Sequence, residues 1–199
     1  MKVLFLDFDG VLNSIQHFIA TKDIKVRGAS NLNDADLWAM KRDVNPNNMW
    51  VLKYIMEKVP DLKIVISSSW RLHYHMESFK ELFKIFKLDG ERIIDFTPQK
   101  LSSERYHEIH LWIADVEHPG PLPHDDCPIS GPCSHCDNPP PGEMVDHVAV
   151  DDHAIYHLGD PEKETREVLT DPWVGLTMPD AFKIIKHFKP DFKEPYVAI

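Results

Sequence analysis

Cysteine is scarce: the chain of 199 residues holds three. Three is too few, and too odd a number, for a disulfide scaffold, so a reducing compartment and a cytoplasmic location are expected. Long apolar runs are absent too. Stretches such as Val3-Leu4-Phe5-Leu6 fall far short of the roughly 20 residues that span a bilayer, which excludes a membrane-spanning role. Asp7 and Asp9 break the first apolar run where the hydrophobic stretch of a signal peptide would continue. Positive charge is in deficit, with 22 Lys and Arg against 32 Asp and Glu and a formal net charge of −10. An acidic chain is a poor generic binder of nucleic-acid backbone, so no extended contact of that kind is expected. A small basic pocket for one phosphate remains compatible with this charge. The rest of the composition, 43% hydrophobic and 27% charged, is that of a globular protein and excludes a disordered chain, a coiled coil and a collagen.

Hydrophobic patterning alternates strands with helices. Residues 2–6 and Leu62 to Ile66 read as buried strands, short and apolar. Arg92 to Asp95, His147 to Val150 and Trp173 to Leu176 are further strand candidates. Asn45-Pro46 opens a helix, with Asn as cap and Pro at the first helical position, and Pro60 ends it. Met49, Leu52, Met56 and Val59 line one face of that helix. Helices are also expected over 75–87, over 104–116, after Asp160-Pro161 and after Thr177. Residues 14–45 show no sustained period and read as a short inserted flap. Residues 117–146 form a Cys/His/Pro-rich insert: eight of the 16 prolines and all three cysteines lie between Pro119 and Pro141. The expected organisation is a single domain over 1–189 with a loose tail over 190–199. Strands alternating with helices imply an α/β fold, a mostly parallel sheet covered on both faces.

In such folds the site lies beyond the carboxyl ends of the strands. The polar residues placed there form a coherent set. Asp7 and Asp9 follow the first strand, Ser67 the second, and Asp151 and Asp152 the strand at 147–150. Carboxylates converging on one point need a shared cation, and oxygen ligands favour a hard one such as Mg²⁺. A carboxylate held there can attack phosphorus, a second one can serve as acid and then base, and a hydroxyl with one cation can hold the phosphate oxygens. Gly10 lets the chain turn sharply away after the carboxylates. An EF-hand reading fails, because Gly10 follows directly on Asp9 and no carboxylate sits at the required downstream spacing.

Leu6-Asp7-Phe8-Asp9-Gly10-Val11-Leu12-Asn13 resembles the first motif of the haloacid-dehalogenase (HAD) superfamily of phosphohydrolases. Ile66-Ser67 resembles its second motif, Arg105-Tyr106-His107-Glu108-Ile109 its third, and Val150-Asp151-Asp152 its fourth. Together with Ser67-Ser68-Ser69-Trp70-Arg71 and Val174-Gly175-Leu176-Thr177, these motifs look most like the branch of nucleic-acid-repair, polynucleotide 3′-phosphatase-type domains. The resemblance covers about residues 1–116 and 144–188. It implies a HAD-like Rossmannoid three-layer sandwich. It also implies that Asp7 is nucleophile and metal ligand, and Asp9 acid/base and metal ligand through its carbonyl. Ser67 would bind phosphate, Arg105 would neutralise it, and Asp151 and Asp152 would complete the Mg²⁺ shell. Lys100 is the alternative to Arg105, and Gly10, Ser68 and Arg71 are further substrate-contact candidates. The implied activity is a Mg²⁺-dependent phosphomonoesterase acting through an aspartyl-phosphate. Its partner would be a phosphorylated small molecule, a nucleotide or a nucleic-acid 3′-phosphate end.

Other readings weigh against parts of this set. A non-catalytic scaffold using the insert for partner contact is the alternative, but it would have no reason to keep an unpaired carboxylate cluster. In the insert, Cys133 and Cys136 have the spacing of a zinc half-site, with Cys127 as third ligand and His124 as the favoured fourth among His118, His124, His135 and His147. Topology places that insert at the amino ends of the strands, away from the site. Trp38, Trp50, Trp112 and Trp173 read as packing residues, and His73, His75, His107, His110, His153 and His157 as solvated or hydrogen-bonded ones.

Overall fold

The computed structural model describes residues 1–24, 32–99, 104–118, 142–156 and 163–195. Apolar alternation along the strands sets the layering. In β1 (Lys2–Leu6), Leu4 and Leu6 face one core and Val3 and Phe5 the other, all buried. A strand hidden on both faces reads as a continuous apolar run, and this is what a parallel sheet requires. β1 pairs in parallel with β2 (Leu62–Ile66) and with β4 (Asp146–Asp151). β3 (Ile93–Phe96) and β5 (Glu167–Leu169) extend the sheet in parallel on either side, giving the order β3-β2-β1-β4-β5. The fold is the expected α/β Rossmannoid sandwich.

On one face, α3 (Pro46–Lys58), α4 (Met76–Ile85) and α7 (Met178–Phe188) pack onto Leu4, Leu6, Ile64, Ile66, Val148 and Val150. On the other, α5 (Arg105–Glu117) sets Ile109 and Trp112 against Val3, Phe5, Val65 and Ala149. Local signals start these helices. Asn45 caps α3 by accepting from the Asn47 N–H at 2.9 Å, with Pro46 at the first position. At α7 the Asp180 carboxylate accepts from both the N–H and the hydroxyl of Thr177.

Three expectations are corrected. The flap is helical, with α1 (Ile15–Thr21) and α2 (Leu32–Asp43) on either side of the undescribed residues 25–31. Its period escapes the sequence because α1 buries nothing and, among the described residues, α2 contributes Met40 to the core, with Leu37 packed against it and Val44 buried just after its end. Trp173 to Leu176 is not a strand. Place beside β4 is taken by β5, and the Asp171 carbonyl then accepts from the N–H groups of Val174 and Gly175 in a tight turn. Nor are Trp38, Trp50 and Trp173 packed away, since each keeps about half its surface exposed (48%, 59% and 48%), whereas Trp112 is buried.

The insert's described flanks meet, the Gly142 N–H donating to the Glu117 carbonyl at 3.0 Å, and Asp146 joins Met1 at the amino edge of the sheet. The zinc candidates His124, Cys127, Cys133 and Cys136, together with Lys100, the Asp160-Pro161 helix start and the end of the tail, lie outside the described residues. α6 (Lys163–Arg166) is the described helix of that region. Among the described residues, no helix is long and apolar enough to cross a membrane.

Candidate active site

Strand register assembles the site. Leu6 is level with Ile66 on one side and Val150 on the other. The ladder continues one step beyond, with the Ser67 N–H on the Leu6 carbonyl at 2.9 Å and the Asp7 N–H on the Val150 carbonyl at 3.1 Å. Ser67, Asp7 and Asp151 therefore stand side by side on the carboxyl edge, although Ser67 lies 60 residues and Asp151 144 residues beyond Asp7 in sequence. At that point β1 gives way to a turn. Gly10 adopts φ +68°, and a Cβ there would run into the Asp152 side chain.

Asp7 and Asp151 keep only 4% and 2% of their surface exposed. Carboxylates buried this deeply need compensation. One guanidinium supplies it: Arg105 places Nη1 3.5 Å from Asp7 Oδ1 and Nε 3.5 Å from Asp151 Oδ2. One positive charge does not balance two. Burial raises the Asp7 pKa above the ordinary carboxylate value, opposed mainly by Arg105. Burial, then the charge of Asp7, pushes Asp151 up to about 7. Ser67 Oγ and Arg105 Nη1 are buried and have no hydrogen-bond partner among the described residues. A buried donor without a partner costs free energy, so both fit an anionic ligand oxygen.

Asp9 is exposed, and its orientation comes from a residue outside the expected site. Trp70 Nε1 lies 3.0 Å from both carboxylate oxygens, while Asn13 Nδ2 reaches Oδ1 at 3.2 Å. Trp70 lies in the Ser67–Arg71 block, and an indole N–H near a site seeks an acceptor, which is the signal that could have found it. Ser68 caps the short 3₁₀ turn Ser69–Leu72. Arg71 is pinned by three bonds, to the carbonyls of Thr97 (3.1 Å) and Ser68 (2.6 Å) and to Glu108 Oε2 (2.7 Å).

Asp151, Asp152 and His153 bring ligand atoms within 4.8 Å of one another. His153, an ordinary solvated or hydrogen-bonded histidine by sequence, sits against both carboxylates. Its N–H donates to Asp151 Oδ1 at 2.9 Å, its Nδ1 lies 2.6 Å from Asp152 Oδ1, and that carboxylate raises its pKa. A cleft of about 420 Å³ opens beside these groups, lined by Ser69, Leu72, Gln99, Arg105, Asp151, His153 and Ile155. The donor set of clustered carboxylates against one guanidinium has the oxygen chemistry and charge deficit that suit a hard divalent cation.

Among known proteins, neither the curated sequences nor the solved structures yield a significant match. A family model described as the HAD domain in Swiss Army Knife RNA repair proteins matches residues 3–122. The matched stretch carries Asp7, Asp9, Ser67 and Arg105, and ends before the acidic pair Asp151-Asp152. With that match over more than half its length, on a parallel sheet whose carboxyl edge gathers these side chains, the chain belongs to the family of HAD domains in Swiss Army Knife RNA repair proteins.

Proposed function

We propose that the chain is a Mg²⁺-dependent phosphomonoesterase of HAD type that works through an aspartyl-phosphate, with a nucleotide or a nucleic-acid 3′-phosphate end as substrate. The observation that carries this reading is the row of Asp7, Ser67 and Asp151, with Arg105 facing both carboxylates and the Ser67 hydroxyl without a hydrogen-bond partner among the described residues. Residues 1–189 would act as one catalytic unit.

Asp7, Asp9, Asp151 and Asp152 would hold Mg²⁺, Asp9 through its backbone carbonyl. When bound, the ion neutralises charge on the phosphate oxygens. Ser67 Oγ and Arg105 would take the remaining phosphate oxygens and hold phosphorus in line with the Asp7 carboxylate. Asp7 then forms an O–P bond as the ester P–O bond breaks, and Asp9 gives its proton to the leaving oxygen. In the second half Asp9 takes a proton from water, whose oxygen attacks phosphorus and frees Asp7. Trp70 keeps the exposed Asp9 carboxylate in one orientation through both halves. A non-catalytic scaffold has no use for two buried carboxylates that share one cation.

The test is a phosphate-release screen over nucleotides, 3′- and 5′-phosphorylated oligonucleotides and sugar phosphates, with Mg²⁺ and with chelator. Release that needs Mg²⁺ and vanishes in Asp7→Asn supports the reading. Absence of release from every class refutes it.

A further inference from the structure

Five exposed apolar residues lie on α1 and on the turn that follows β5. Ile15, Phe18 and Ile19 recur at helical spacing on one face of α1, a helix that buries none of its residues. They are 41%, 50% and 52% exposed. The helix starts on the turn that follows β5: the Ile15 N–H donates to the Pro172 carbonyl at 2.9 Å and the Gln16 N–H to that of Trp173 at 3.2 Å. At that turn Trp173 and Val174 are themselves 48% and 38% exposed.

The turn is a built feature. The Trp173 N–H donates to Asp171 Oδ1 at 2.9 Å, and Gly175 sits at φ +75°, where a Cβ would strike the Asn48 side chain and the Val11 carbonyl. Both its ends are sewn to the residues directly after Asp9. Thr170 Oγ1 donates to the Gly10 carbonyl at 3.0 Å and the Leu176 N–H to the Val11 carbonyl at 2.8 Å. The indole is thus carried at the carboxyl edge, beside the loop of Asp7 and Asp9.

Exposed apolar surface grouped in this way marks a contact with a ligand or partner. Two observations select the occupant. The patch adjoins the site where a phosphate end would be attacked. A net charge of −10 gives little attraction for phosphate backbone, so affinity for a nucleic acid must come from uncharged contacts. Aromatic and aliphatic faces provide such contacts by stacking bases, without sequence preference.

We infer that Trp173, with Ile15 and Phe18, is a stacking platform for the unpaired base adjoining the phosphate that enters the Asp7 site. The inference rests on the phosphohydrolase reading and narrows its substrate class to single-stranded or frayed nucleic-acid ends. The enzyme would select for the base and be only weakly sensitive to salt.

The test uses the full chain and a short fluorescein-labelled RNA ending in a 3′-phosphate, alongside the same RNA with an abasic terminal residue. Binding is read by anisotropy in the Asp7→Asn background, and turnover of glycerol 2-phosphate is read in the wild-type background. Trp173→Ala should weaken binding of the RNA about tenfold, Phe18→Ala should weaken it less, and Trp173→Phe should restore most of it. The abasic RNA should bind weakly to all forms alike, and glycerol 2-phosphate turnover should be unchanged. Equal binding of both RNAs, or an equal loss for both in Trp173→Ala, overturns the platform and leaves the phosphatase standing. A shift in sedimentation of Trp173→Ala away from wild type also overturns it, by making the patch a self-association surface. Base-dependent binding with no turnover of any phosphoester overturns the phosphatase and leaves the platform standing.

Discussion

At the scale of single residues, the two leading aspartates are held in opposite ways. Asp7 is buried and charge-compensated by Arg105, whereas Asp9 is exposed and oriented by an indole N–H. Asp7→Asn should reduce phosphate release to background with the fold intact, because the amide has nearly the same shape but cannot attack phosphorus. Circular dichroism and a phosphate assay check both halves of that statement. Ser67→Ala should lower turnover roughly a hundredfold, as loss of one preorganised donor does. Trp70→Phe keeps an aromatic ring against Phe8 and Tyr74 but removes the donor to Asp9. It should lower kcat by about 10- to 100-fold while KM moves little, since under the proposed mechanism it disturbs the group that moves the proton and not phosphate binding. Steady-state kinetics that showed the loss in KM would contradict that role.

Between elements, the contact of most consequence is the Arg71–Glu108 pair, which ties the turn after β2 to the first turn of α5. The side chains are 7% and 9% exposed. Removing one partner strands a buried charge, so Glu108→Ala should cost about 3–5 kcal/mol, read by denaturant unfolding. Joint replacement by Arg71→Met and Glu108→Leu should recover most of that loss. The root of β4 carries a second buried device. His147 lies between Arg166 Nη1 at 2.8 Å and the Tyr156 hydroxyl at 2.9 Å, and burial pulls its pKa from 6.5 down to about 4. Folded, it stays neutral where the unfolded chain already takes a proton. Its contribution to stability is therefore complete above about pH 6.5 and is lost as pH falls toward 4. Thermal midpoints of His147→Gln should fall less steeply over that window than those of the wild type.

For the whole molecule, the sheet edge concentrates negative charge that the rest of the chain does not balance. In metal-free buffer Asp151 stays protonated in the folded state up to about pH 7, whereas the unfolded chain ionises near 3.8. Its stabilising effect is thus present at low pH and is lost as pH rises from about 4 to about 7. Asp151→Asn should remove that loss, and saturating Mg²⁺ should reverse it by favouring the ionised form; melting curves across pH, with and without Mg²⁺, check both. Much of this molecule was legible from residues alone. β1, β2 and β4 announce themselves as apolar runs because both faces of a parallel sheet are buried, and Asp7, Ser67 and Asp151 were legible because each follows such a run directly. The caps at Asn45 and Thr177 act within a few residues and could be read the same way. What lay beyond the sequence depends on partners far along the chain. The flap helices pack too little apolar surface to show a period, and β5 is three residues long, recognisable only by its pairing with β4. Sequence determined which side chains follow the strands, because strand length and polarity are local. Tertiary structure alone decided that Trp70 would grip Asp9, that Arg71 would be spent on Glu108, and that Trp173 would stand exposed beside the motif-one loop. The spacing between elements, not the order of residues, fixes which donor meets which acceptor.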